Sequence, residues 1–270
     1  MKSKNIKKGL LASALLCGAL LVGCGNTTVK KDTDTLYQVA LLQSLTAGQY
    51  DGVVTVEELS KHGDIGLGTF DAINGEMIVL DGVVYQALGD GTIAKADMKE
   101  TVPFATVTYM DEDISVKDFE SDDMNALKSQ LDDIVKENGA NYFYMIRMDG
   151  SCDEIKVRSE LKQEKPYKSL DVVLASDQRE YEYTDSEGTL VALYCPSYMD
   201  KLNTPGWHFH YLSADKTTGG HVLDVKGFTG DLKMDKFTEF KMVCPENEIF
   251  DSLDLAVDQK DRIKEVEQGK

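Results

Sequence analysis

One twenty-residue stretch, Pro205 to Asp224 (PGWHFHYLSADKTTGGHVLD), constrains this chain more than any other, because it holds three of its four histidines. In a β-strand, side chains two residues apart project to the same face, so His208 and His210 point the same way. The polar, glycine-containing run Ala214 to Gly220 reads as a turn, which brings His221 on a following strand back beside the pair. The stretch is therefore expected to be a β-hairpin with three imidazoles aimed at one point. Three imidazoles with an open fourth position describe a catalytic zinc site better than a closed structural one, which fills all four positions and often uses thiolates. Manganese, iron and nickel also suit these residue types. The plainer alternative is three packing histidines, each satisfied by a local hydrogen bond.

The N-terminus is a targeting segment and not part of the fold. Lys2, Lys4, Lys7 and Lys8 precede an apolar run from Gly9 to Val22, too short to span a bilayer comfortably, so residues 1–23 read as an export signal. The ending Leu21-Val22-Gly23-Cys24 resembles a bacterial lipoprotein box. It implies cleavage before Cys24, lipidation of that thiol, and a cell-envelope protein held by its lipid alone. Residues 24–34 form a polar tether, and residues 35–270 are the folded region. Without residues 1–23 the chain carries 25 basic and 47 acidic residues, a balance of −22. That acidity argues against nucleic acid or anionic lipid as a partner. A small anionic substrate stays open, because one metal ion and one arginine can reverse the field inside a pocket. Cys152, Cys195 and Cys244 are widely spaced and odd in number, so at least one thiol is free and no disulfide framework holds the fold.

Along the folded region, Leu36, Val39, Ala40 and Gln43 to Leu45 suit a short N-terminal helix, and Thr55 to Glu58 matches a capping box for a second. Strand patterns then dominate. Met77 to Leu80 and Val83 to Gln86 flank Asp81-Gly82, a strong tight-hairpin signal. Further strands are expected at Phe104 to Met110, Tyr142 to Met148, Ile155 to Arg158, Thr189 to Tyr194, Trp207 to Leu212 and His221 to Val225. Met124, Leu127, Leu131, Ile134 and Val135 recur at helical spacing between Asp122 and Gly139. Another helix is expected over 258–267, and the segment 161–169, with Pro166, reads as a linker between two sheet-based halves. Runs of strands with few helices predict an α+β fold of antiparallel or mixed sheets in two packed halves with flanking helices.

Three segments, HGDIGLGTFDAINGEMIVLDGVVYQ from His62, FYMIRMDGSCDEIKVRS from Phe143 and PGWHFHYLSADKTTGGHVLD, together resemble the bacterial α-acetolactate decarboxylases, in order and spacing, from about Leu36 to the C-terminus. A cupin site also uses a His-x-His pair, but it expects a glutamate soon afterwards, where this chain has Ser213-Ala214-Asp215. The resemblance implies one zinc ion on His208, His210 and His221, with Glu76 and Glu267 in or beside its coordination sphere. It also implies active-site roles for Thr69 and for Arg158, whose distance from the histidines matches the family better than that of Arg147. The implied reaction converts 2-acetolactate to acetoin and carbon dioxide, with zinc as Lewis acid for an enediolate, and a homodimer is expected. Two rivals stand beside this reading: another zinc lyase or hydrolase on the same scaffold, and an anchored, non-catalytic metal- or ligand-binding lipoprotein. His62, before Gly63, is expected to be structural.

Overall fold

A computed structural model describes residues 31–257; the export signal, Cys24 and the expected C-terminal helix with Glu267 lie outside the described residues. The chain runs β1 (Thr35–Val39), α1 (Leu42–Thr46), β2 (Val54–Thr55), α2 (Val56–Leu59), β3 (Ile65–Thr69), β4 (Glu76–Leu80), β5 (Val83–Ala87), β6 (Ile93–Lys95), β7 (Thr101–Val102) and β8 (Phe104–Thr108). It continues through β9 (Ile114–Asp123), α3 (Met124–Asn138), β10 (Phe143–Glu160), α4 (Leu170–Asp177), β11 (Gln178–Cys195), β12 (Gly206–Ser213), β13 (Gly219–Phe237), β14 (Glu239–Val243) and α5 (Glu248–Ser252).

The architecture is α+β, with two main sheets. The first has the order β14-β1-β8-β3-β4-β5-β6 and is mixed, because β1 pairs with β14 in parallel and its other ladders are antiparallel. The second has the order β10-β11-β12-β13-β9, and β13 also pairs with β10, so four of its strands close on one another. A short β2–β7 ladder stands apart. Asp81 and Gly82, at φ 53° and 73°, make the tight turn between β4 and β5. Positive φ at both central residues matches the right-handed twist of the flanking strands.

Local signals at the helices act as their chemistry predicts. The Thr55 hydroxyl accepts from Glu58 N at 3.1 Å and starts α2. The Asp123 carboxylate accepts from Ala126 N at 2.8 Å and starts α3, whose Leu127, Leu131 and Val135 are fully buried. They pack on Trp207, Phe209 and Tyr211, one face of β12, and the Trp207 indole donates to Asp132 of α3 at 2.8 Å. With its aromatic face committed to α3, β12 must turn His208 and His210 the other way, toward the first sheet. A buried amide network fixes the approach to β12: Asn203 donates to the Gln38 side chain at 2.9 Å, and Gln38 donates to Leu202 O at 2.7 Å.

Three expectations need correction. Residues 36–39 belong to strand β1, and the helix starts only at Leu42; a short apolar run buried on both faces has no period that separates strand from helix. The two strands expected around Met148 and Ile155 are one strand, β10, running through Asp149-Gly150-Ser151. Gly150 is there for close approach and not for a turn. It faces Gly188 on one side and Gly230 on the other, and a Cβ on it would meet Thr229 O at 2.2 Å. Finally, the segment 161–169 leads through α4 from β10 to β11, which are neighbours in one sheet. The chain passes between the sheets at 109–113 and at 238 instead.

Candidate active site

The expected hairpin forms, with β12 and β13 antiparallel and His210 directly opposite His221. On the other side of β13, His221 faces Arg158 of β10, so Arg158, His221 and His210 occupy one rung across three strands. Gly220 makes this rung possible. It sits at φ +144°, and a Cβ on it would lie 2.5 Å from Arg158 O.

Three ring nitrogens converge. His208 Nε2 lies 3.1 Å from His210 Nε2 and 3.0 Å from His221 Nδ1. Nitrogens on a tetrahedral zinc ion, each about 2.0–2.1 Å from the metal, stand ~3.3 Å apart, so this spacing fits the ion with little adjustment. The first sheet fixes one ring. His210 Nδ1 donates to Met77 O at 2.8 Å, which leaves the Nε2 lone pair directed into the cluster. Glu76, one residue before Met77 and 7 % exposed, places Oε2 3.4 Å from His210 Nε2.

Electrostatics keep these rings ready to ligate. Burial, reinforced by the charges of Arg158 and Lys128, pushes His208 down to about 3. Burial likewise holds His210 well below its ordinary value; His208 and Arg158 add to the shift, and the bond to Met77 O opposes it. Both imidazoles are thus neutral at physiological pH, the state a metal ligand requires.

The cluster opens onto a small pocket. Gly68, Thr69, Glu76 and Phe104 line it from the first sheet, and Arg158, Glu160, His208 and His221 from the second. Leu42, Leu45, Ile73 and Leu170 complete an apolar wall. Thr69 and Glu76 are cross-strand partners on β3 and β4, and the Thr69 hydroxyl donates to Gly75 O at 2.7 Å. Ile73 is held at φ 44°, a costly conformation for a β-branched residue, in the turn that presents Glu76.

Of the residues singled out from the sequence, the fold brings together Thr69, Glu76, Arg158, His208, His210 and His221. Arg147 sits elsewhere, paired with Asp149 at 2.7 Å and Asp81 at 2.5 Å. His62 stacks on Tyr37 with ring centroids 3.8 Å apart, away from the cluster. The two pocket features that sequence reasoning missed are the apolar wall and Glu160. The signal for Glu160 was available, since it continues the alternation of Lys156 and Arg158 on β10.

The family profile of alpha-acetolactate decarboxylase matches residues 36–257. The chain belongs to the alpha-acetolactate decarboxylase family. The alpha-acetolactate decarboxylase of Methanosarcina mazei is 37 % identical over 235 residues, 87 % of this chain and 81 % of the relative. That of Brevibacillus brevis is 30 % identical over 270 residues, covering 93 % and 94 %. In three dimensions, the crystal structure of alpha-acetolactate decarboxylase from Bacillus subtilis strain 168 superposes with a TM-score of 0.82 at 27 % identity, covering 87 % of this chain and all of that one. A member of this family is a decarboxylase, so the non-catalytic alternative loses its ground. The three-histidine group is the feature of the described residues best suited to the metal such chemistry uses.

Proposed function

We propose that this protein converts 2-acetolactate to acetoin and carbon dioxide with a zinc ion held by His208, His210 and His221. The observation that carries the reading is the rung Arg158–His221–His210: it sets a guanidinium beside a three-imidazole cluster at the floor of a small, apolar-walled pocket.

Loss of carbon dioxide from a 2-hydroxy-3-keto acid leaves an electron pair that must delocalise toward the ketone oxygen. A bound zinc ion supplies the Lewis acid for that developing charge. Arg158 orients the substrate carboxylate by paired N–H donors, which sets the carbon–carboxylate bond for cleavage. The apolar wall takes the methyl groups and excludes bulk water, which strengthens each charge interaction inside the pocket. The Glu76 carboxylate, in reach of His210 Nε2, serves either as a further ligand or as the group that carries the proton to the carbanionic carbon at Oε2. Glu267 is proposed to close the site from the C-terminal segment.

The test is incubation of purified protein with racemic 2-acetolactate, with acetoin measured before and after chelation and after zinc is restored. Acetoin formation that disappears on chelation and returns with zinc supports the reading; stoichiometric zinc binding without acetoin moves the assignment to another lyase or hydrolase. We also propose that the mature chain is anchored to the envelope through Cys24, on the strength of its Leu-Val-Gly-Cys box. A Cys24→Ala variant that still partitions with membranes would remove that proposal.

A further inference from the structure

Arg158 and Glu160 lie two apart on β10, line the same pocket, and are each 4 % exposed. Arg158 Nε stands 3.4 Å from Glu160 Oε1, an ion-pair distance longer than an ordinary N–H···O bond. The reaction above gives Arg158 a role and Glu160 none. Glu160 is also not free to turn away. Ser159, between the two, donates its hydroxyl to Ala87 O of the first sheet, so 158 and 160 are committed to the opposite face. The Glu160 carbonyl is pressed against Gly89, where a Cβ would stand 2.6 Å away.

We propose that Glu160 is a positioning residue: it braces the Arg158 guanidinium on its Nε side and offsets part of its charge, which sets how tightly the pocket holds the carboxylate of a 2-hydroxy-3-keto acid. The inference rests on the decarboxylase reading above. Its logic is differential binding. A carboxylate that leaves as neutral carbon dioxide is losing its charge in the transition state, so a partner strongest toward the intact carboxylate slows the step. An uncompensated arginine in a water-poor pocket is such a partner, because little solvent screens it. Glu160, equally buried, divides that charge from the Nε side of the guanidinium.

The test compares zinc-loaded wild type with Glu160→Gln, which keeps the shape and removes the charge. Two unreactive ligands are used: 2,3-dihydroxy-2-methylbutanoate, which has the carboxylate but no ketone, and 2,3-butanediol, which has no carboxylate. Calorimetry is expected to show the carboxylate ligand bound about tenfold tighter by Glu160→Gln, with the diol unchanged. With 2-acetolactate, KM and kcat should fall together, so that kcat/KM changes less than either. Unchanged or weaker binding of the carboxylate ligand, or an equal shift for both ligands, overturns the proposal. If Glu160→Gln does not fold, Glu160→Asp, which retracts the carboxylate by one methylene, is expected to show the same selective tightening at smaller size. An unchanged or weakened carboxylate affinity in that variant overturns it too. Wild type that forms no acetoin overturns the decarboxylase reading alone, and the two-ligand comparison still decides the role of Glu160.

Discussion

Replacing His210 by alanine separates the contribution of this side chain to the fold from the metal-binding role proposed for it. The ring is fully buried and Nδ1 donates to Met77 O, so the variant leaves that carbonyl without its donor and opens a ring-sized space. Losing this buried hydrogen bond costs about 0.5–1.5 kcal/mol, and the lost packing brings the metal-free penalty to about 2–4 kcal/mol. For a domain of this size, each kcal/mol moves Tm by roughly 2–4 °C, so the chelated variant should unfold about 5–15 °C below chelated wild type. Zinc adds a second, independent quantity. An ion present at a hundredfold excess over its Kd stabilises the native state by about 2.7 kcal/mol, which raises the wild-type Tm by roughly 5–11 °C. In His210→Ala one of three converging nitrogens is gone, and this zinc-dependent rise should shrink to about 2 °C or less. The assay is thermal unfolding of both proteins with chelator and with zinc. His62→Ala serves as control, because its ring stacks on Tyr37 outside the cluster and should keep the full zinc increment. A His210→Ala protein with a zinc-dependent rise equal to that of wild type would refute the assignment of this residue as a ligand.

Gly220→Ala forces a Cβ against Arg158 O at a φ that L-residues avoid, so it should cost about 1–3 kcal/mol and displace His221 from its rung. Zinc affinity measured by competition with a chromogenic chelator should drop, and unaltered affinity would mean that His221 does not depend on this backbone geometry. Burial pushes the Asp235 carboxyl up to about 8, with a bond from Asp111 N opposing the shift and the Asp111 charge adding to it. The folded state therefore keeps a proton that the unfolded chain releases near pH 4: the associated stability is complete below that pH and is lost as pH rises through about 8. Asp235→Asn keeps an oxygen acceptor for Asp111 N and removes the titration, so urea unfolding from pH 5 to 9 should show its advantage over wild type growing with pH; parallel curves would refute the shift. Asp123→Ala removes the α3 cap and should lower stability by about 1 kcal/mol in the same assay, while kcat changes little if β12 stays seated through Trp207.

What could be read from the sequence depended on whether the decisive contacts were local. The hairpin of His208, His210 and His221, the Asp81-Gly82 turn and the Thr55 helix cap are fixed by spacings of a few residues, and each forms as read. The long β10 strand was hidden because Gly150 looks like a turn residue until Gly188 and Gly230 are seen on either side of it. The alternation along β10 does not itself select the stretch that enters the pocket. Glu154, Lys156, Arg158 and Glu160 alternate along one edge of the sequence, and nothing in their chemistry separates the first two from the last two. Glu154 and Lys156 pair at the surface with Lys226 and Glu180. Arg158 and Glu160 are sealed in, because the first sheet, through Ala87, Gly89 and the turn before β4, closes over that end of the strand. The same alternation is thus solvated ion pairs at one end and a buried, pocket-lining pair at the other. The difference is set by residues some seventy positions earlier in the chain, such as Ala87 opposite Ser159, so only the packing of the two sheets could reveal it.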